Sequence, residues 1–217
     1  MSDNEDYGLI LSQKVSKDNN NIANVVGTNK FTLINIELNE NIDLKAQDKI
    51  LLTKDSKEVK KLNHRLSYDD LSKEEQKELD KAIHSIVISN ENKYVKFFNN
   101  QSKDGTKLHF LDGISRKLGS KILDEKELNG DFKSFEDIDE RISFIEDSEN
   151  LIAKRVLYEI SELNKIRKGR PSYLFTVVKR SNKKETQELD QFEDDDSFFI
   201  EMLKKEGLIE KEGRKIR

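Results

Sequence analysis

The chain has 217 residues, of which 34% are hydrophobic and 38% charged, with a formal net charge of -4 and no cysteine. This length can bury a core, but the composition is lean for a single compact globule, so part of the chain is expected to be solvated linker or tail. Disulfides, thiolate zinc sites and thiol nucleophiles are excluded, and the acidic start Met1-Ser2-Asp3-Asn4-Glu5-Asp6, with no apolar run long enough to cross a bilayer, points to a cytoplasmic protein with no membrane partner.

In chain order, Tyr7 to Val15 reads as a strand that ends in the polar loop Ser16-Lys17-Asp18-Asn19-Asn20-Asn21. Ile22 to Gly27 and Phe31 to Glu37 read as a hairpin around the turn Thr28-Asn29-Lys30. Asp48 to Leu52 gives a fourth strand and Glu58 to Leu62 a fifth, so the first sixty-odd residues predict a small barrel or twisted sheet. Phe31 and Tyr7 could stack on bases if they faced outward, but their apolar neighbours favour burial. Lys54, Lys57, Lys60, Lys61, His64 and Arg65 form a loose basic series, diluted by Asp55 and Glu58, that reads as a solvated face.

Ser72 and Glu75 stand at capping-box spacing and start a helix that carries Leu79, Ile83, Ile86 and Val87 on one face and resumes through Tyr94, Val95 and Phe98. Leu108 to Leu123 then reads as helix, hairpin and helix. Gly113 can take the positive φ of a sharp reversal, Ser115 is a good N-cap, and Leu118, Ile122 and Leu123 recur at helical spacing. Such a turn aims free amides outward at a helix N-terminus, and Arg116, Lys117 and Lys121 add counter-charge for an anion.

Asn129-Gly130-Asp131 breaks the pattern, and Ser134-Phe135-Glu136-Asp137 starts another helix. A second turn, Glu146 to Asn150, precedes an amphipathic helix with Ile152, Val156 and Ile160 aligned. Pro171 rules out a continuing helix, and Tyr173 to Val178 reads as a last strand. From Leu151 to Arg180 eight cations, including Lys154, Arg155, Lys165, Arg167, Lys168 and Arg170, face two acids, whereas from Ser181 to Glu201 eight acids face two cations. A +6 segment therefore abuts a -6 segment, and the acidic tail is expected to be disordered apart from a short amphipathic helix at Ser197 to Leu203.

Laid out in this way, Phe31-Thr32-Leu33, Arg65-Leu66-Ser67-Tyr68-Asp69-Asp70-Leu71, Asn90-Glu91 with Phe97-Phe98-Asn99, Leu108-His109, Gly113-Ile114, Phe132 to Asp137 and Leu151-Ile152-Ala153 resemble the archaeal domain of unknown function 655 family. The resemblance spans Tyr7 to Phe175 and implies an OB-like N-terminal barrel, a helix-hairpin-helix region and a nucleic-acid- or nucleotide-binding role. One departure falls in the hairpin, where Asp112-Gly113-Ile114-Ser115 replaces the usual Pro-Gly-Ile-Gly.

The expectation is an α+β protein: an OB-like β-barrel at 1–66, a helical connector at 67–104, a helix-hairpin-helix module at 105–180 and an acidic tail at 181–217. It is expected to bind nucleic acid, RNA favoured over DNA, without catalysing a reaction. The contacts are assigned to Gly113, Ile114, Ser115, Arg116, Lys117, Lys121, Lys154, Arg155, Arg167, Lys168 and Arg170. The tail could fold back on the basic segment. The alternative is a protein-interaction adaptor in an RNA-processing, ribosome or transcription assembly, with a structural hairpin and a protein partner docked through Phe198, Phe199, Met202 and Leu203. No cofactor, metal ligand or catalytic residue is expected: His64, His84 and His109 lack ligand spacing, Asp194-Asp195-Asp196 lies in the tail, and there is neither a glycine-rich phosphate loop nor a nucleophile elbow.

Overall fold

A computed structural model describes residues 5–16, 18–103, 105–162 and 173–176. The chain is α+β. Five strands come first: β1 (Tyr7–Val15), β2 (Asn21–Gly27), β3 (Leu33–Leu38), β4 (Lys49–Leu51) and β5 (Val59–Arg65). They pair antiparallel in the order β4-β1-β2-β3-β5 and curl into a half-barrel that stays open, with β4 and β5 as its edges.

Each face of this sheet has its own apolar set, because side chains alternate along a strand. Ile10, Ala23, Val25, Ile36, Leu38, Ile50 and Leu52 form a small core on one face. Leu9, Val26 and Leu33 lie on the other and join the helices, together with Leu11, which sits in the register shift between Ile10 and Ser12. The bulge lets Leu11 and Ser12 both face the helices, Leu11 in the core and Ser12 through its hydroxyl to Glu75.

Five helices follow: α1 (Lys73–Ser89), α2 (Glu91–Asn99), α3 (Arg116–Asn129), α4 (Phe135–Arg141) and α5 (Ser148–Glu162). α1 packs along α5. The apolar faces of all five meet the sheet in one continuous core that includes Leu79, Ile83, Phe98, Ile122, Ile138, Ile152 and Val156. All described residues lie in one compact unit, Met1–Val178.

The capping box at the start of α1 does more than close a helix. The Ser72 hydroxyl accepts from the Glu75 amide at 3.2 Å, and the Glu75 carboxylate accepts from the Ser72 amide at 2.8 Å. The same carboxylate also accepts from the Ser12 hydroxyl and, at 2.7 Å, from the Asn24 side-chain amide. Asn24 in turn accepts from Asn35 at 2.7 Å, and Asn35 from Asn63 at 2.9 Å, so one chain of amides crosses β2, β3 and β5. Burial raises the Glu75 pKa, but the donors from Ser12, Ser72 and Asn24, with Lys14 nearby, outweigh it and hold the carboxyl below its ordinary value.

Phe31 belongs to the core, with 0% exposure, whereas Tyr7, also expected to be buried, is exposed at the start of β1 with Lys49 Nζ 4.5 Å from its ring centre. The Phe31 φ of 59° is a left-handed conformation that a bulky residue rarely adopts. The buried Glu5 carboxylate offsets that strain by accepting from the amides of Asn29, Lys30 and Thr32 at 2.9–3.1 Å on either side of it. Gly27 leaves the space this carboxylate fills, since a Cβ there would meet Glu5 at 2.1 Å.

Two expected elements take other forms. The helix expected before Gly113 is a 3₁₀ turn, Leu108–Phe110, closed by Phe110 N–H donating to the Lys107 carbonyl and Leu111 N–H to that of Leu108. Three residues per turn put Leu108 and Leu111 one above the other, and both are buried. The last strand is also absent among its described residues, Tyr173 to Thr176, where the amides of Leu174, Phe175 and Thr176 bond to a carboxylate and not to a ladder.

Candidate functional site

Gly113 has φ +71°, the left-handed conformation expected at this turn, and a Cβ there would meet nothing within 4 Å. The glycine is thus required by the backbone conformation and not by a crowded neighbour. Leu111 and Ile114 anchor the turn in the core, while Asp112, Gly113 and Ser115 are exposed. Ser115 is the N-cap of α3, and its hydroxyl accepts from the Leu118 amide at 3.2 Å. The amides of Ser115, Arg116 and Lys117 make no hydrogen bond among the described residues, as the geometry of a helix start requires.

Arg116, Lys117 and Lys121 are exposed, and none forms an ion pair among the described residues. Lys117 and Lys121 are one helical turn apart, a like-charged pair that disfavours the helix. Two cations at an N-terminus also oppose the helix dipole. The other helices conform to that dipole: the first turns of α1, α2, α4 and α5 carry Glu74 and Glu75, Glu91, Glu136 and Asp137, and Glu149. The first turn of α3 carries no acid.

The residues assigned from α5 separate. Lys154 is exposed and has no ion pair among the described residues. Arg155, one position on, is 9% exposed and committed inward, so it leaves the set of ligand-facing cations. Its Nε donates to Glu159 at 2.8 Å and its Nη1 to the Phe110 carbonyl at 2.9 Å, which ties α5 to the 3₁₀ turn ahead of Gly113. Its guanidinium carbon lies 5.8 Å from the centre of the Phe110 ring and 5.3 Å from that of Tyr158. Arg167, Lys168 and Arg170, like the acidic tail and its four docking residues, lie outside the described residues.

Glu159, 1% exposed, is the centre of this second assembly. Besides Arg155 it accepts from the amides of Leu174, Phe175 and Thr176 at 2.7–3.0 Å and from the Thr176 hydroxyl at 3.0 Å. That clasp seats Phe175 against Phe97 and Tyr94, with ring centres 5.0 and 5.4 Å away. Burial first, then Glu159, Glu162 and Tyr158, raises the Tyr173 pKa. Glu159 and Tyr158 were not singled out in the sequence, although both depart from the stripe of Ile152, Val156 and Ile160, one as an acid that becomes buried and the other as an exposed ring.

Among the other basic residues, Lys60 pairs with Glu37 at 2.6 Å, and Lys61, His64 and Arg65 line the exposed edge strand β5, where charge blocks pairing with a further strand. His84 faces Glu149 at 3.3 Å, and the His109 ring lies tilted by 39° against that of Phe110 with centres 4.1 Å apart. Among the described residues no group of three or more potential ligands could hold a metal, and no helix is long and apolar enough to cross a membrane.

The family model described as "Protein of unknown function (DUF655)" matches residues 4–176. The uncharacterized protein MJ0038 of Methanocaldococcus jannaschii is 28% identical over 163 residues, which cover 73% of this chain and 72% of that protein. The crystal structure of Af1531 from Archaeoglobus fulgidus, described with the same family model, superposes with a TM-score of 0.71 at 31% identity, covering 80% of this chain and 100% of that one.

Proposed function

The chain belongs to the DUF655 family, and from that footing we propose that it is a non-catalytic nucleic-acid-binding protein, RNA favoured over DNA, that grips backbone phosphate at the turn of Gly113. The observation that carries this reading is the charge at the start of α3. Arg116, Lys117 and Lys121 stand exposed and unpaired among the described residues, beside three free amides, at the helix end where cations cost stability. A phosphate there would accept from the amides and neutralise the cations, turning an unfavourable arrangement into a favourable one. In this reading the 3₁₀ turn, Gly113 and α3 act as a helix-hairpin-helix element. The open five-stranded sheet acts as an OB-like module, a pairing that suits structured or single-stranded RNA.

Changing Arg116, Lys117 and Lys121 together to Glu tests it. Fluorescence anisotropy with labelled single-stranded RNA is expected to show affinity reduced on the order of tenfold or more. The same charge change at exposed Lys45, Lys73 and Lys77 should cost far less. Equal losses from the two triple variants would refute a localised site.

A further inference from the structure

We propose that Tyr158 is a stacking platform for an unpaired base of the same nucleic acid, so that the site takes single-stranded RNA in preference to duplex. This inference rests on the phosphate-binding reading above and specifies the form of the ligand.

Tyr158 is 42% exposed on a helix whose stripe of Ile152, Val156 and Ile160 is almost wholly buried. Its ring is backed by a fixed cation. The Arg155 guanidinium lies 5.3 Å from the ring centre and is locked by the Glu159 carboxylate and the Phe110 carbonyl. A ring placed in this way has little freedom left to lose when a base stacks on it. Lys154 lies one helical turn before Tyr158, exposed and without an ion pair among the described residues, so a cation for the phosphate of the stacked nucleotide is on the same face of α5. The anchor of Arg155, Phe110, is three positions ahead of Gly113, so the turn of α5 that carries Lys154 and Tyr158 is tied through Arg155 to the segment that leads into the hairpin. Glu159, the neighbouring acid, is neutralised by Arg155 and three backbone amides, so it does not repel an incoming phosphate.

The ligand is therefore a strand with at least one unstacked base next to the phosphates held at α3. A paired duplex keeps its bases stacked inside and could use the cations but not the ring.

The test compares the full chain with Tyr158→Leu, which keeps apolar cover over Arg155 but removes the π face, and with Tyr158→Trp, which keeps the π face. Probes are labelled oligo(U) and a blunt RNA duplex, read by anisotropy, with thermal melts to establish that each variant is folded. Tyr158→Leu is expected to weaken oligo(U) binding by roughly 5- to 100-fold and leave duplex binding within about twofold, while Tyr158→Trp retains both. Unchanged oligo(U) affinity in Tyr158→Leu, alongside loss in the Arg116, Lys117 and Lys121 variant, would overturn the platform and leave the phosphate site standing. Equal loss on oligo(U) and duplex would also overturn it, by reducing Tyr158 to a structural role. If the unmodified chain binds neither probe, the phosphate reading fails and the platform with it.

Discussion

Arg155 bonds to Phe110, six positions ahead of Arg116 in the chain, yet the surroundings of the two arginines are opposite. Arg155 is buried, bonded to Glu159 and the Phe110 carbonyl and packed on two rings. Arg116 is exposed at a helix start, with no ion pair among the described residues and with Lys117 beside it. The first arrangement makes sense as fold. It fixes α5 to the turn ahead of Gly113, and through Glu159 it holds the backbone of Leu174 to Thr176. The second adds nothing to the fold and works against the helix dipole. Charge that is satisfied belongs to structure, and charge held where it is unfavourable is the better sign of a ligand.

The largest expected effect breaks the satisfied half. Glu159→Ala would strand a buried guanidinium and leave three amides without their acceptor, at a cost of about 3–5 kcal/mol in urea or thermal unfolding. Duplex RNA affinity measured below the melting transition should change much less, because a duplex uses only the proposed phosphate site at α3 and not the Tyr158 ring that Glu159 supports through Arg155. A large loss of duplex affinity with unchanged stability would place Glu159 in the site and erase the contrast.

Next in size is the junction of α1 with the sheet. The Glu75 pKa is held below its ordinary value of 4.5, so its contribution to stability is complete above that pH and disappears as pH falls through the lowered folded value. Denaturant unfolding of the wild type and Glu75→Gln should therefore differ most at neutral pH, and the gap should narrow below about pH 4.5. A gap independent of pH would mean that the carboxylate charge is not what the Ser12, Asn24 and Ser72 donors recognise.

The smallest effect sharpens the other half. Asp112 is exposed beside Gly113 and carries the one charge at the turn that would repel a phosphate. Asp112→Asn is expected to tighten RNA binding about 2- to 5-fold, the scale of a single exposed charge of ~0.5–1 kcal/mol. Weakened binding would instead make Asp112 a contact.

What was legible in the sequence was what is local. Ser72 with Glu75, Gly113 with its positive φ, and Ser115 as N-cap each depend on residues within three or four positions, and all appear as expected. The five strands also fall where the short apolar runs and the turns between them place them, to within a few residues at the ends. Long-range partners were not legible. Arg155 looks like another member of a basic run until the fold brings the Phe110 carbonyl, 45 residues away, to its guanidinium. Tyr173 to Thr176 has the composition of a strand, but the Glu159 carboxylate takes its amides first. Nor could alternation alone say whether the sheet would close; the short β4 and the charged β5 remain as open edges.

The central proposal is that the cations at the start of α3 and on α5 that are exposed and without an ion pair among the described residues hold phosphate. The dependence of single-stranded RNA affinity on salt tests it most directly. If Arg116, Lys117, Lys121 and Lys154 each neutralise a phosphate, log Kobs against log salt should fall with a slope of about -3 or steeper, and the triple Glu variant should be markedly flatter. A flat line for the unmodified chain, or one slope shared by both proteins, would contradict the account.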